Sequence, residues 1–186
     1  MEYETVLIQS IYMPKGQSFL WGIWYLTHLN VNQEEFVKSQ QELFKRLKKY
    51  KDKSIRQLII TGHGLGGLCG VSHLIDLDRL TDEEIAILEQ KLDPDATIEL
   101  WACWQANSAR QKWILQRFAN RVGRKVRATT GRAYTPLGGS TDKGIRSGLV
   151  PSTTDGEWLE FPPGKPIPES PPADIDAGEP KKPGKQ

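Results

Sequence analysis

The run Gln57-Leu-Ile-Ile-Thr-Gly-His-Gly-Leu-Gly-Gly67 constrains this chain more than any other stretch. Its apolar, β-branched core has no polar alternation, which suits a strand buried on both faces, as in a parallel sheet covered by helices. The glycines end the strand and leave one histidine, His63, at its tip. A second run, Thr97-Ile-Glu-Leu-Trp-Ala-Cys103, reads as another strand ending in a cysteine. In open α/β sheets, ligands and reactive groups gather at the carboxyl ends of strands. The two tips, His63 and Cys103, therefore define the candidate site.

Around these runs the periodicity alternates. Thr5 to Tyr12 reads as an opening strand, closed by Pro14 and Gly16, and Phe19 to Leu29 as an irregular segment rich in Trp, Tyr and Leu. From Asn32 the apolar spacing is helical, with Phe36, Gln40, Leu43, Phe44 and Leu47 on one face and Asn32 with Glu35 resembling a capping box. The Arg56 to Thr61 strand then completes a βαβ unit. Thr81-Asp-Glu-Glu84 is a capping box opening a helix on Ile85, Leu88 and Leu92, and Asp93-Pro94-Asp95 turns the chain into the cysteine-bearing strand. A helix from Ala106 to Val122 buries Ile114, Leu115, Phe118, Ala119 and Val122 and stops at Gly123. Lys125 to Thr129 is a further strand and Glu157 to Phe161 an edge strand. The pattern predicts one three-layer α/β domain over residues 1–161, a mostly parallel sheet with helices on both faces. Residues 162–186 alternate proline with Lys, Glu and Asp, so this Pro/Lys-rich tail is expected to be flexible or extended.

Composition removes several classes. With 186 residues, 38% hydrophobic and 26% charged, the chain has room for one ordinary core. No apolar run approaches the roughly 18–20 residues that span a bilayer, and the Met1-Glu-Tyr-Glu start lacks the basic region of a signal peptide, so no membrane partner is expected. Two cysteines, Cys69 and Cys103, are too few for a disulfide scaffold and fit a reducing compartment. A cytoplasmic location follows as an expectation, in the producing cell or in one that receives the protein. A net charge of +2 is too mild to require a nucleic-acid partner. The basic run of Arg110, Lys112, Arg117, Arg121, Arg124, Lys125 and Arg127 reads mostly as a solvated helix face.

The chemistry the two tips can support is nucleophilic. A free thiol, with a pKa of about 8.5, is a weak nucleophile until ionised, and a neighbouring imidazole can take its proton and return it to a leaving amine. Cys103 just ahead of the expected Ala106 helix would also meet the positive end of its dipole. Backbone N–H groups of Gly64 and Cys103 are candidates for an oxyanion hole. Trp101 and Trp104, on either side of Cys103, can form a substrate pocket or fill one. A cysteine at a strand end is also a common small core residue, and only the pairing with His63 on one sheet edge favours catalysis. Cys69 and His73 read as core or pocket wall, His28 as a packed aromatic neighbour, and Asp76 with Asp78 as helix caps rather than a cation site. No metal or organic cofactor is needed.

The blocks Leu58-Ile-Ile-Thr-Gly-His63-Gly64 and Ile98-Glu-Leu-Trp-Ala-Cys103 resemble the histidine and cysteine blocks of the caspase-like, or clan CD, cysteine peptidases. These include caspases, gingipains, clostripain, separase and bacterial CHAT domains. The chain looks closest to small bacterial caspase-like domains found in large surface proteins and toxins, a likeness extended by Phe118-Ala119, Gly123 and Val126-Arg-Ala128. The resemblance implies a caspase-like fold and a cysteine endopeptidase that cleaves a protein or peptide substrate through an acyl-enzyme on Cys103, serving as a bacterial effector, toxin or processing protease. Cys103 stands in Trp-Ala-Cys-Trp-Gln rather than the caspase Gln-Ala-Cys-x-Gly, and no acidic residue stands just before it to mark the arginine specificity of metacaspases and clostripain, so specificity is left open. One alternative is a non-catalytic interaction module on the same fold. Another is an inactive lipase-like binding domain, since Gly62-His-Gly-Leu-Gly-Gly67 differs from a lipase elbow by Gly64 in place of the nucleophilic serine.

Overall fold

A computed structural model describes residues 4–10, 33–64, 69–71, 74–131, 133–134, 152–153 and 156–173. Its strands are β1 (Glu4–Ser10), β2 (Gln33–Val37), β3 (Ile55–Thr61), β4 (Gly70–Val71), β5 (Ile75–Asp76), β6 (Leu92–Trp101), β7 (Lys125–Thr129), β8 (Ala133–Tyr134), β9 (Ser152–Thr153) and β10 (Trp158–Phe161). Its helices are α1 (Gln40–Leu47), α2 (Asp82–Lys91) and α3 (Ala109–Val122). Six strands form one sheet in the order β10-β7-β6-β3-β1-β2, parallel throughout except for β10, which runs antiparallel on β7. The expected α/β class and mostly parallel sheet are therefore present.

Topology explains the helix layer. The crossovers from β2 to β3, β3 to β6 and β6 to β7 all step the same way across the sheet. Right-handed connections then place α1, α2 and α3 on the same face, and α2 indeed touches both of the others. Val6, Ile8, Leu58, Ile60, Ile98, Leu100, Val126 and Ala128 meet the buried stripes of these helices in one core. Among the described residues Phe118 is the largest fully buried side chain, and truncating such a residue costs about 3–5 kcal/mol. On the opposite face Leu7, Ile59 and Trp101 are buried as well. That face is thus covered too, although the described residues include no helix over it.

Several local signals act where they were read, and others do not. Thr81 and Glu84 form the reciprocal capping box of α2, and Gly123, at φ 63°, closes α3 in the left-handed conformation. The Asn32 start of the first helix does not hold: Gln33–Val37 is a strand paired with β1, and Ser39 caps α1 by accepting from the Glu42 N–H. Phe36, assigned to the buried helical stripe, is 47% exposed on that edge strand. After the glycines, Gly70–Val71 and Ile75–Asp76 pair antiparallel as the β4–β5 hairpin. Asp93-Pro94-Asp95 sits inside β6, where the register jumps between Ile55↔Leu92 and Gln57↔Thr97, and the Asp93 carboxylate accepts from the Asp95 N–H as in an Asx turn.

The tail also differs, at its start, from the flexible segment expected. Its beginning is held on α3: Gln116 Nε2 donates to the Pro162 carbonyl, Asn120 bonds both Lys165 O and Gly164 N, and Trp113 Nε1 donates to Pro168 O. Trp113, Gln116 and Asn120 are spaced to share one helix stripe. The backbone from Pro162 to Pro168 is thereby docked, and the ordered chain continues beyond the Phe161 boundary. Among the described residues no helix is long and apolar enough to cross a membrane.

Candidate active site

The paired strands β3 and β6 carry the two candidate residues. Thr61 lies opposite Trp101 in the parallel register, its hydroxyl donates to the Trp101 carbonyl at 3.3 Å, and the Gly62 N–H reaches the same oxygen at 3.4 Å. His63 and Cys103 each follow two residues beyond that pair, so they leave adjacent strands at the same C-terminal edge. His63 is exposed and Cys103 half-buried. The loops also touch through their backbones: a Cβ built on Gly64 would lie 2.3 Å from the Cys103 carbonyl oxygen. Only glycine fits there. Among the described residues no hydrogen bond joins the His63 ring to the Cys103 thiol. Gly64 is further tied to Val71 by an isolated antiparallel bridge.

Past Cys103 the backbone is held in an uncommon shape. Trp104 has φ 54°, a left-handed conformation that costs a non-glycine residue about 1–2 kcal/mol. Its N–H donates to Gly131 O at 2.7 Å and its carbonyl accepts from Gln111 Nε2 at 2.9 Å. Ala106 donates to Thr129 O at 2.9 Å, in the manner of a strand rather than a helix. The helix expected from Ala106 accordingly starts at Ala109, with Ser108 and Gln111 as a reciprocal capping box. Its dipole end lies further along the chain from Cys103 than the sequence suggested, and the effect falls off within one turn. The Ser108-Ala-Arg-Gln111 box was legible; Ala106, a strong helix former, masked it.

Gln105, which no sequence pattern singled out, is fully buried. Its Nε2 donates to Cys103 O at 3.0 Å and its Oε1 accepts from the Gly70 N–H. The Cys69 thiol, also fully buried, points at Gln105 O at 3.5 Å. Burial, reinforced by Asp76 and Asp78, pushes that thiol well above its ordinary range. Cys69 is thus the wall residue expected of it.

The two tryptophans separate. Trp101 is 4% exposed and its indole N–H donates to Glu99, so it is a packing residue and offers no open surface to a substrate. Glu99, buried and missed from the sequence, also accepts from Gln57 and Arg127. Trp104 is half-buried beside Cys103. Asp76 and Asp78 do not cap α2, which Thr81 does. Asp78 instead pairs with Arg110 and Arg117, and Arg121 pairs with Asp82, so much of the basic run is engaged with acids. Among the described residues no cluster of His, Cys, Asp and Glu could hold a metal. His28 and His73 lie outside the described residues.

A cleft of about 1020 Å³ between α1 and α2, lined by Lys45, Arg46, Lys48, Glu83 and Ile87 among others, contains neither His63 nor Cys103. Against known proteins, no family model, no curated sequence and no solved structure matches this chain.

Proposed function

We propose that the chain is a cysteine endopeptidase acting on a protein or peptide through the His63–Cys103 dyad. The observation that carries this reading is the shared edge: His63 and Cys103 follow the register pair Thr61↔Trp101 on neighbouring parallel strands, with Gly64 packed on the Cys103 carbonyl. In the proposed reaction His63 takes the thiol proton and the sulfur attacks the scissile carbonyl carbon. The Cys103 N–H, with Gly64 as second candidate, faces the developing oxyanion. His63 then protonates the leaving amine, and water attacks the thioester to release the acid and restore the thiol. Trp104 is the remaining candidate for substrate contact. By its resemblance to bacterial caspase-like domains the protein would act as an effector, toxin or processing protease in a cytoplasm.

The rival is a non-catalytic interaction module, favoured by Trp104, a bulky residue directly after Cys103 whose backbone is held at φ 54° and whose side chain can fill the groove. A peptide-library cleavage profile with Cys103→Ala as blank separates the two, together with iodoacetamide labelling at neutral pH. The peptidase reading expects cleavage that Cys103→Ala abolishes, and labelling of Cys103 that His63→Ala slows. Absence of cleavage together with His63-independent labelling would leave the binding module.

A further inference from the structure

We infer that Gln105 is a positioning residue for the Cys103 nucleophile, an inference that rests on the dyad reading above. The Cys103–Trp104 peptide is clamped at both ends, its carbonyl by Gln105 Nε2 at 3.0 Å and its N–H by Gly131 O at 2.7 Å. A peptide plane held from both sides cannot rotate, and this sets the direction in which the Cys103 Cα–Cβ bond leaves the backbone. The same clamp holds Trp104 at φ 54°, a conformation that persists only where its surroundings over-determine it.

Gln105 also reaches the histidine side. Its Oε1 accepts from Gly70 in the β4–β5 hairpin, and neighbouring Val71 bridges to Gly64, the residue after His63. Its Nε2 lies 2.9 Å from where a Gly64 Cβ would stand. One amide therefore ties the cysteine loop to the hairpin, whose Val71 bridges on to Gly64 of the histidine loop. At neutral pH an amide meets both demands and a carboxylate does not, because one end must donate to Cys103 O while the other accepts from Gly70 N.

The test uses the full chain and iodoacetamide alkylation of Cys103. Gln105→Met keeps the side-chain length but removes both bonds, and it is expected to slow labelling by about tenfold, the scale of a small misplacement at a reacting centre. Combined with His63→Ala the loss should shrink, because there is no longer a base to be aligned with. Gln105→Glu adds a pH signature: as a carboxylate it repels Cys103 O, and as the neutral acid it can donate to it. Its labelling rate relative to wild type should therefore recover as pH falls. Unchanged labelling in folded Gln105→Met, with His63→Ala still slow, overturns the positioning role and leaves the dyad standing. Labelling insensitive to His63→Ala overturns the dyad reading and this inference with it. Loss of the folded state in both Gln105 variants assigns the residue to stability alone and overturns it too.

Discussion

Replacing Gly64 with alanine probes the contact between the two loops directly. A Cβ there would lie 2.3 Å from Cys103 O and 2.9 Å from Gln105 Nε2, whereas real Cβ contacts essentially never fall below 3.0 Å. The obstacle is a carbonyl pinned through Gln105 and through the Trp104 N–H, so it cannot swing aside as a side chain would. Overpacking of this kind costs about 1–3 kcal/mol, and displacing the carbonyl from a buried amide donor adds about 1 kcal/mol. The expected loss is ~2–4 kcal/mol, which in a chain of this length lowers Tm by roughly 5–15 °C. Gly123→Ala is the comparison: φ is 63° but nothing lies within 4 Å of its Cβ, so it should cost only the left-handed backbone, about 1 kcal/mol. Circular-dichroism melts of wild type and both variants, with Cys103 alkylation measured well below each transition, give the readout. A Gly64→Ala protein that melts within ~2 °C of wild type and labels at the same rate would refute the backbone contact between the loops.

Three further outcomes follow from the same geometry. Cys69, fully buried with its thiol pushed up by burial, should stay unlabelled by iodoacetamide in the native state and react only after unfolding; peptide mass mapping that finds native labelling of Cys69 would contradict its placement. Tyr50, whose phenol burial and the neighbouring Glu35 and Glu4 raise from 10.0 to about 12, contributes stability that is intact below pH 10 and lost as pH rises through about 12. Among the described residues its hydroxyl has no hydrogen-bond partner, so Tyr50→Phe should match wild type at neutral pH to within about 0.5 kcal/mol and lose less stability between pH 10 and 12 in urea titrations. Trp113→Phe removes the indole donor to Pro168 O and should speed protease cleavage in residues 162–173 without shifting the main melting transition. Equal cleavage rates would show that the bond does not hold the tail.

The strands β3, β7 and β10, the capping box of α2 and the Gly123 stop were legible because each is written in neighbouring residues. Residues that act through distant partners were not. Asn32 and Glu35 have the spacing of a helix cap, yet pairing with β1 draws Gln33–Val37 into the sheet, and the usable cap is Ser39. Ala106 favours helix by propensity, but Thr129 takes its N–H. The tail looked unanchored because its apolar content is low, and it is held by side chains bonding its backbone, which a hydrophobic period cannot reveal.

By itself the sequence determined that apolar strands would alternate with amphipathic helices in an α/β sheet, and that His63 and Cys103 would stand at strand ends. Periodicity and capping are local and survive without knowledge of partners. Only the tertiary structure decided that those two strands are neighbours in register, that Trp101 is buried while Trp104 is only half-buried, and that Gln105 ties the Cys103 loop to the β4–β5 hairpin. Strand order and the donors that reach a given carbonyl are set by which distant segments pack together, a free-energy balance over the whole core that no single stretch of chain encodes.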